Sequence, residues 1–319
     1  KLQAEFDLYQ NVRDLFRNET DYGNEFHLLK AEDPAAYEKY FTQAYGENAN
    51  LSENDAFKRA SELYFIEKYD NAIKAAKTIG EGLKYTVESF DTNKQLLQYI
   101  KDNNIIINKK QLDKFTQGAL NGVYYKDKVT NKITQLMSKE NSINNERAGT
   151  GYHEIAHGAL FTALGDTNID YQPLAELIQK WLKANNTRMY QEMFKSLGTQ
   201  RIAGIEADGT ITDSEEVVVN FLEKVAEGKI KPTTVNEKVF MGTVAESLSA
   251  LSKLNLDFKS QTDAINLLIT LGEKIKDGTL TREDLQAIKS GLNTKLVEAD
   301  KKVQSEPTDK VAASDSQAI

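Results

Sequence analysis

Two of the chain's three histidines stand four residues apart, with a glutamate directly after the first, in Gly151-Tyr152-His153-Glu154-Ile155-Ala156-His157. On a helix, residues i and i+4 project from one face about one turn apart, so both imidazoles can reach a single ion. Two neutral imidazoles suit Zn²⁺ and leave coordination positions open, and a carboxylate beside them can point at a water on the metal. Zinc lowers the pKa of bound water toward ~7, and the carboxylate takes its proton as the water attacks a carbonyl. The spacing therefore expects metal-assisted hydrolysis, with His153 and His157 as ligands and Glu154 as general base. The third histidine, His27, stands alone between Phe26 and Leu28 and reads as a packing or surface residue.

Composition narrows the alternatives. The 319 residues include no cysteine, which excludes a disulfide framework, a thiol nucleophile, a Cys-type zinc finger and an iron–sulfur site. Forty Lys+Arg against 48 Asp+Glu give a formal charge of −8, and no dense basic run offsets it, so a dedicated nucleic-acid binder is not expected. No apolar run approaches the ~18 residues of a membrane span, and no signal-peptide pattern opens the chain, so a non-secreted protein with no membrane partner is expected. Hydrophobic residues at 40%, charged residues at 28% and only 4 prolines permit long helices around a real core. A lysine at the first position reads as a fragment or a processed piece of a longer chain.

The elements that must position these residues follow from periodicity. Phe6, Tyr9, Val12 and Phe16, then Phe57, Leu63, Tyr64 and Ile73, recur at helical steps; Asp33-Pro34 breaks the first run, and Ser52-x-x-Asp55 has capping-box spacing. After Gly80-Glu81-Gly82 the pattern changes. Lys84–Phe90 alternates and is rich in β-formers, Asp91-Thr92 caps a short helix with Leu96, Leu97 and Ile100, and Gly122–Tyr125 and Lys132–Met137 read as a hairpin. A helix over about Asn144–Leu164 carries the two histidines, and helices at Pro173–Lys183, Thr187–Leu197 and Asp213–Ala226 follow. The expected fold class is α+β, a small sheet against helices. Residues 1–79 read as a helical region, 80–230 as the domain that holds the site, 231–298 as helical again with Leu248, Leu251 and Leu254 and later Ile265, Leu268 and Leu271 on apolar faces, and 299–319 as a disordered tail. Asp208–Thr212 and Asp277–Thr281 repeat a calcium-loop-like Asp-Gly step. Too few oxygens converge for calcium, and an Asp-Gly turn followed by a Thr N-cap accounts for each.

With these residues in place, the segment over roughly residues 83–228 resembles a zincin metallopeptidase of the gluzincin type. More narrowly, its layout, its Asn- and Lys-rich composition and its Lys1 start resemble the metallopeptidase domains embedded in bacteriophage polyproteins and virion-associated proteins. The resemblance implies a zincin-like domain in which the edge strand just before the H-E-x-x-H helix binds the substrate backbone. Lys132–Met137 is the match for that strand, and Gly122-Val123-Tyr124-Tyr125 matches a glycine–aromatic strand of compact zincins. It also implies a third zinc ligand, a glutamate on a later helix, and no histidine follows His157 to replace it. The best match is Asp213–Phe221, where Glu215 and Glu216 compete. With Thr212 as N-cap, Glu215 is engaged in the capping box and Glu216 is left to face zinc, with Asn220 buttressing the site where the family more usually carries Asp or Glu. Glu176, Glu192 and Glu206 stand as fallback ligands, and Tyr171, Tyr190 and Arg201 as oxyanion donors with no role assigned. The implied activity is that of a zinc-dependent endopeptidase acting on a peptide or protein, its own polyprotein included, in the bacterial host cytoplasm or the phage virion. The alternative is a virion structural or cargo protein that uses the fold mainly as a scaffold.

Overall fold

The computed structural model describes residues 24–127, 132–145, 147–164, 171–194, 205, 210–230 and 261–286. The expected helix of Phe6–Phe16, the Leu248–Leu254 face, the tail from 299, and Arg201 and Glu206 lie outside the described residues.

Three helices open the described chain: α1 (Asn24–Glu32), α2 (Pro34–Glu47) and α3 (Glu53–Leu83). Asp33 separates the first two, its side chain accepting the Ala36 amide while Pro34 occupies the first turn of α2, where its missing N–H costs nothing. Ser52 caps α3 by accepting the Asp55 amide. The first half of α3 holds α1 and α2 through a cluster of rings around Phe26, which stacks on Tyr37 at 4.8 Å and lies 5.6 Å from Phe57. His27 packs its ring 6.2 Å from that of Phe57; burial, then the Lys30 charge, lower its pKa, and it joins no group of metal-ligating side chains among the described residues. Helix α3 runs on through Gly80-Glu81-Gly82 to a left-handed residue, Lys84 (φ 65°), so residues on both sides of position 79 share one core.

The chain then forms β1 (Thr86–Phe90), α4 (Asn93–Asp102), α5 (Lys109–Thr116), β2 (Gly122–Lys126) and β3 (Ile133–Ser138). Strands β2 and β3 make the expected antiparallel hairpin, with Gly122 opposite Met137 and Lys126 opposite Ile133, while β1 runs parallel to β3 with Thr86 opposite Thr134. The sheet order is β1-β3-β2. This corrects the expectation for Lys132–Met137: it holds the central strand, and Gly122–Lys126 is at the edge. The reason is burial on both faces. Leu136 points into the cluster of Leu96, Ile100 and Phe115 from α4 and α5, while its neighbour Met137 packs on Phe65, Tyr69 and Ile73 of α3.

A short helix α6 (Lys139–Asn144) ends where the histidine helix was expected to begin, and α7 (Thr150–Leu164) starts six residues later than that expectation. Asn145 ends the first; its side-chain amide donates to Gly118 O at 2.8 Å and Asn121 Oδ1 at 2.7 Å, which ties the break to the loop before β2. Helices α8 (Gln172–Asn185), α9 (Thr187–Phe194), α10 (Ser214–Ala226) and α11 (Gln261–Lys276) complete a largest core that also takes Ala72, Ala76, Ile79 and Leu83 of α3 and Ile155, Ala159 and Leu160 of α7. The protein is α+β, mostly helical with one small mixed sheet among the described residues. In the second of the two repeated stretches, Gly278 turns the chain at φ 66° and Thr281 and Asp284 exchange capping hydrogen bonds, as the turn-and-cap reading expects.

Helices α3 and α7 touch backbone to backbone. A Cβ on Gly151 would lie 2.6 Å from Ala72 O and 2.9 Å from Ile73 N, and neither atom can swing away. Gly151→Ala should therefore cost about 1–3 kcal/mol by overpacking, seen as a lower urea midpoint at unchanged slope. An unaltered midpoint would mean that the two helices part readily.

Candidate metal centre

Helix α7 is apolar where it meets the core and polar where it meets α10. Ile155, Ala156, Ala159 and Leu160 are buried in the core, and His153 and His157 emerge on the other side with ring centroids 5.0 Å apart. Helix α10 answers with a polar stripe: Glu216, Asn220 and Glu223 lie at i, i+4 and i+7 on one face, while Val217, Val218, Val219, Phe221, Leu222 and Val225 are buried. The Glu216 carboxylate lies between the two rings, 3.4 Å from His153 Nε2 and 3.3 Å from His157 Nε2. One ligand atom from each of the three residues falls within 4.8 Å of the others.

The opposite edge of each ring is held. Glu223 Oε2 is 3.0 Å from His153 Nδ1, and Glu215 Oε1 is 2.8 Å from His157 Nδ1. Carboxylates in those positions accept Nδ1–H and turn both Nε2 atoms toward Glu216, where a metal would take the place of the Nε2 protons. Two imidazole nitrogens and one carboxylate oxygen, each ring oriented by its own acid, form a donor set that fits Zn²⁺ with coordination positions to spare.

Two expectations are corrected here. The N-cap of α10 is Asp213, not Thr212; its side chain accepts the Glu216 amide at 3.3 Å. Glu215 is thereby released from any capping box and reaches His157. Asn220 does not buttress a histidine: it donates to Glu216 O at 2.7 Å and accepts from Arg147 at 3.3 Å. The orienting acid one turn farther, Glu223, was missed. The signal available in the sequence is a glutamate seven residues after Glu216, on the same helical face, in a helix otherwise rich in apolar residues.

Glu154, next to His153, is itself buried. Burial above all raises its pKa, against the opposing pull of His153 and His157, whereas Glu216, also penalised by burial, is carried well below the carboxylate range by hydrogen bonds and charge from the same two rings. For His157, burial disfavours the charged form, but hydrogen bonds to Glu215 and Glu216 outweigh it and lift the pKa to about 10; His153 moves the same way with Glu216 and Glu223 as partners. Two carboxylates beside one histidine pair are thus driven in opposite directions, which suits one to proton transfer and the other to holding a cation.

The place of Glu154 is set by the sheet. A Cβ on Gly122 would lie 2.5 Å from Glu154 Oε1 and 2.9 Å from its Cγ, so the edge strand has a glycine where the carboxylate packs. From the central strand, Gln135 donates to Glu154 O at 2.7 Å. Between β2, the loop before it, α5 and the two site helices runs a cleft of about 600 Å³, lined by Lys114, Asn121–Tyr124, Arg147, Thr150, the H-E-x-x-H side chains, Glu216 and Asn220.

Of the fallback ligands, Glu176 accepts from Gln172 and Glu192 pairs with Arg188; neither joins His153, His157 and Glu216. Tyr171 is buried in the core and Tyr190 stacks on Phe194, and neither lines the cleft. No protein-family model, curated protein or solved structure matches the chain.

Proposed function

We propose that the protein is a zinc-dependent peptidase with a zincin-like active site of the gluzincin type. The observation that carries this reading is the convergence of His153 Nε2, His157 Nε2 and Glu216 in one cleft, with Glu154 beside them and each imidazole oriented by a carboxylate. His153, His157 and Glu216 hold the metal, which when bound supplies a Lewis acid that acidifies water and polarises a carbonyl. Glu154, buried and raised in pKa, takes a proton from the attacking water and passes it to the departing amine. Glu223 and Glu215 keep the imidazoles in the ligating tautomer through the cycle. The edge strand β2, beside the cleft, offers backbone groups to an extended peptide, a role that the sequence resemblance gives to Lys132–Met137. An oxyanion donor is assigned to no side chain.

The test is metal content and peptide cleavage on one preparation. Wild type should carry one zinc per chain and cleave members of a mixed peptide library, lose cleavage with a chelator and regain it with zinc; His153→Ala should carry no zinc. A wild type that takes up no zinc, or cleavage untouched by chelator, would sink the reading.

A further inference from the structure

Glu223 does more than touch His153. Its buried carboxylate is 3.0 Å from Arg147 and 3.4 Å from Lys224; Lys224 is 2.8 Å from Glu227; Glu227 is 3.0 Å from Lys229; and Lys229 is 2.7 Å from Glu25 of α1. Glu25 in turn is paired with Lys68 of α3 and accepts the Tyr64 hydroxyl at 2.7 Å. Charges alternate along the whole series, and its middle is shut from water: the side chains of Glu223, Glu227 and Lys224 are 0%, 3% and 12% exposed.

An isolated buried ion pair adds little to stability, since apolar residues of similar volume serve as well or better. A series of pairs, each ion shared between two neighbours, does something apolar packing cannot: it fixes where each carboxylate oxygen points. The backbone leaves room for that arrangement. A Cβ on Gly149, just before α7, would lie 2.6 Å from Glu227 Oε1 and 2.8 Å from Glu223 Oε1, so both acids are seated against the turn that launches the histidine helix.

We infer that Glu25, Lys229, Glu227 and Lys224 are positioning residues for the metal centre: an ion-pair series that begins in helix α1 aims Glu223 at His153 Nδ1 and so sets the direction in which His153 Nε2 points. This rests on the metal-site reading above for its consequence, though not for its geometry. Helix α1, far from the cleft in sequence, becomes part of the apparatus that orients a ligand.

The 319-residue protein, metal-free and labelled with 15N-histidine, tests this directly, because three rings give a spectrum simple enough to assign by single substitution. Glu25→Gln and Lys229→Met should shift the imidazole nitrogens of His153 more than those of His157, which is held by Glu215 outside the series. In chelator competition, both should raise the zinc Kd about three- to thirty-fold, the span by which residues coupling two sites ordinarily act. Lys229→Arg should restore both readouts. If Lys229→Met does not fold, the near-isosteric Glu25→Gln decides alone. Unmoved His153 resonances in folded Glu25→Gln, with zinc affinity within twofold of wild type, would overturn the inference. Shifted His153 resonances in a protein that binds no zinc would uphold the series and remove the metal reading.

Discussion

Protein carrying Glu154→Gln is expected to keep its full zinc content and lose about 10²- to 10⁴-fold of its turnover, the usual contribution of a general base. Glutamine matches glutamate in shape, so the slot left by Gly122 stays filled and the Gln135 bond to the residue 154 carbonyl, a backbone contact, is untouched. None of the three converging ligand atoms belongs to residue 154. The loss is therefore confined to the proton acceptor. Burial makes the contrast sharper, because a carboxylate drawn upward in pKa is a stronger base than one in water and the neutral amide has nothing to put in its place. Zinc per chain and kcat/KM on the same sample separate the outcomes. Full activity would move the base elsewhere, and joint loss of zinc and activity would make Glu154 structural.

The second large effect distinguishes the two neighbouring glutamates. Glu216→Gln should weaken zinc binding more than about 100-fold, whereas Glu215→Gln should weaken it only about 10- to 100-fold, the range for groups that orient a ligand rather than bind the ion. The geometry gives the order. Glu216 faces both Nε2 atoms with one carboxylate, so the substitution takes away the anion that lies between the two rings among the described residues and leaves a weak amide oxygen in its place. Glu215 touches His157 from behind, at Nδ1, and is about half exposed, so a glutamine there keeps one hydrogen-bonding oxygen and loses only charge. Chelator-competition titrations of the two variants check this; a larger loss for Glu215→Gln would exchange their roles.

How much of this was legible beforehand varied with distance along the chain. His153, Glu154 and His157 could be placed together because helical periodicity alone fixes residues four apart. Glu216, which the fold brings to them from α10, is singled out in the sequence by a Thr212 cap that lies one residue off: the side chain at Asp213 receives the amide. Both candidate acids prove to touch the histidines, so the choice between ligand and orienting group depended on a rotation of α10 that local sequence does not encode. Glu223 escaped because Asn220 filled the expected i+4 position, while a helix repeats its face again at i+7. Strand order was equally out of reach. Lys132–Met137 reads as a strand wherever it sits, and only the later packing of α3 on one face and α4 and α5 on the other makes it central. The small sheet, the hairpin and the caps at Ser52 and Thr281 were legible because each is settled within a few residues.

Helix α3 has a further consequence, for cooperativity. Its 31 residues span about 46 Å at the helical rise, with the rings of α1 and α2 gathered on its first half and the histidine helix α7 pressed against its second. A continuous ladder of backbone hydrogen bonds melts in its middle only at the expense of both flanks. Heat or denaturant is thus expected to meet one foldon, with amides near Phe26 and amides near His153 opening together in hydrogen exchange. The α1–α2 pair at the start of the described chain is, in energetic terms, a wall of the cleft that holds the two histidines rather than an annex to it.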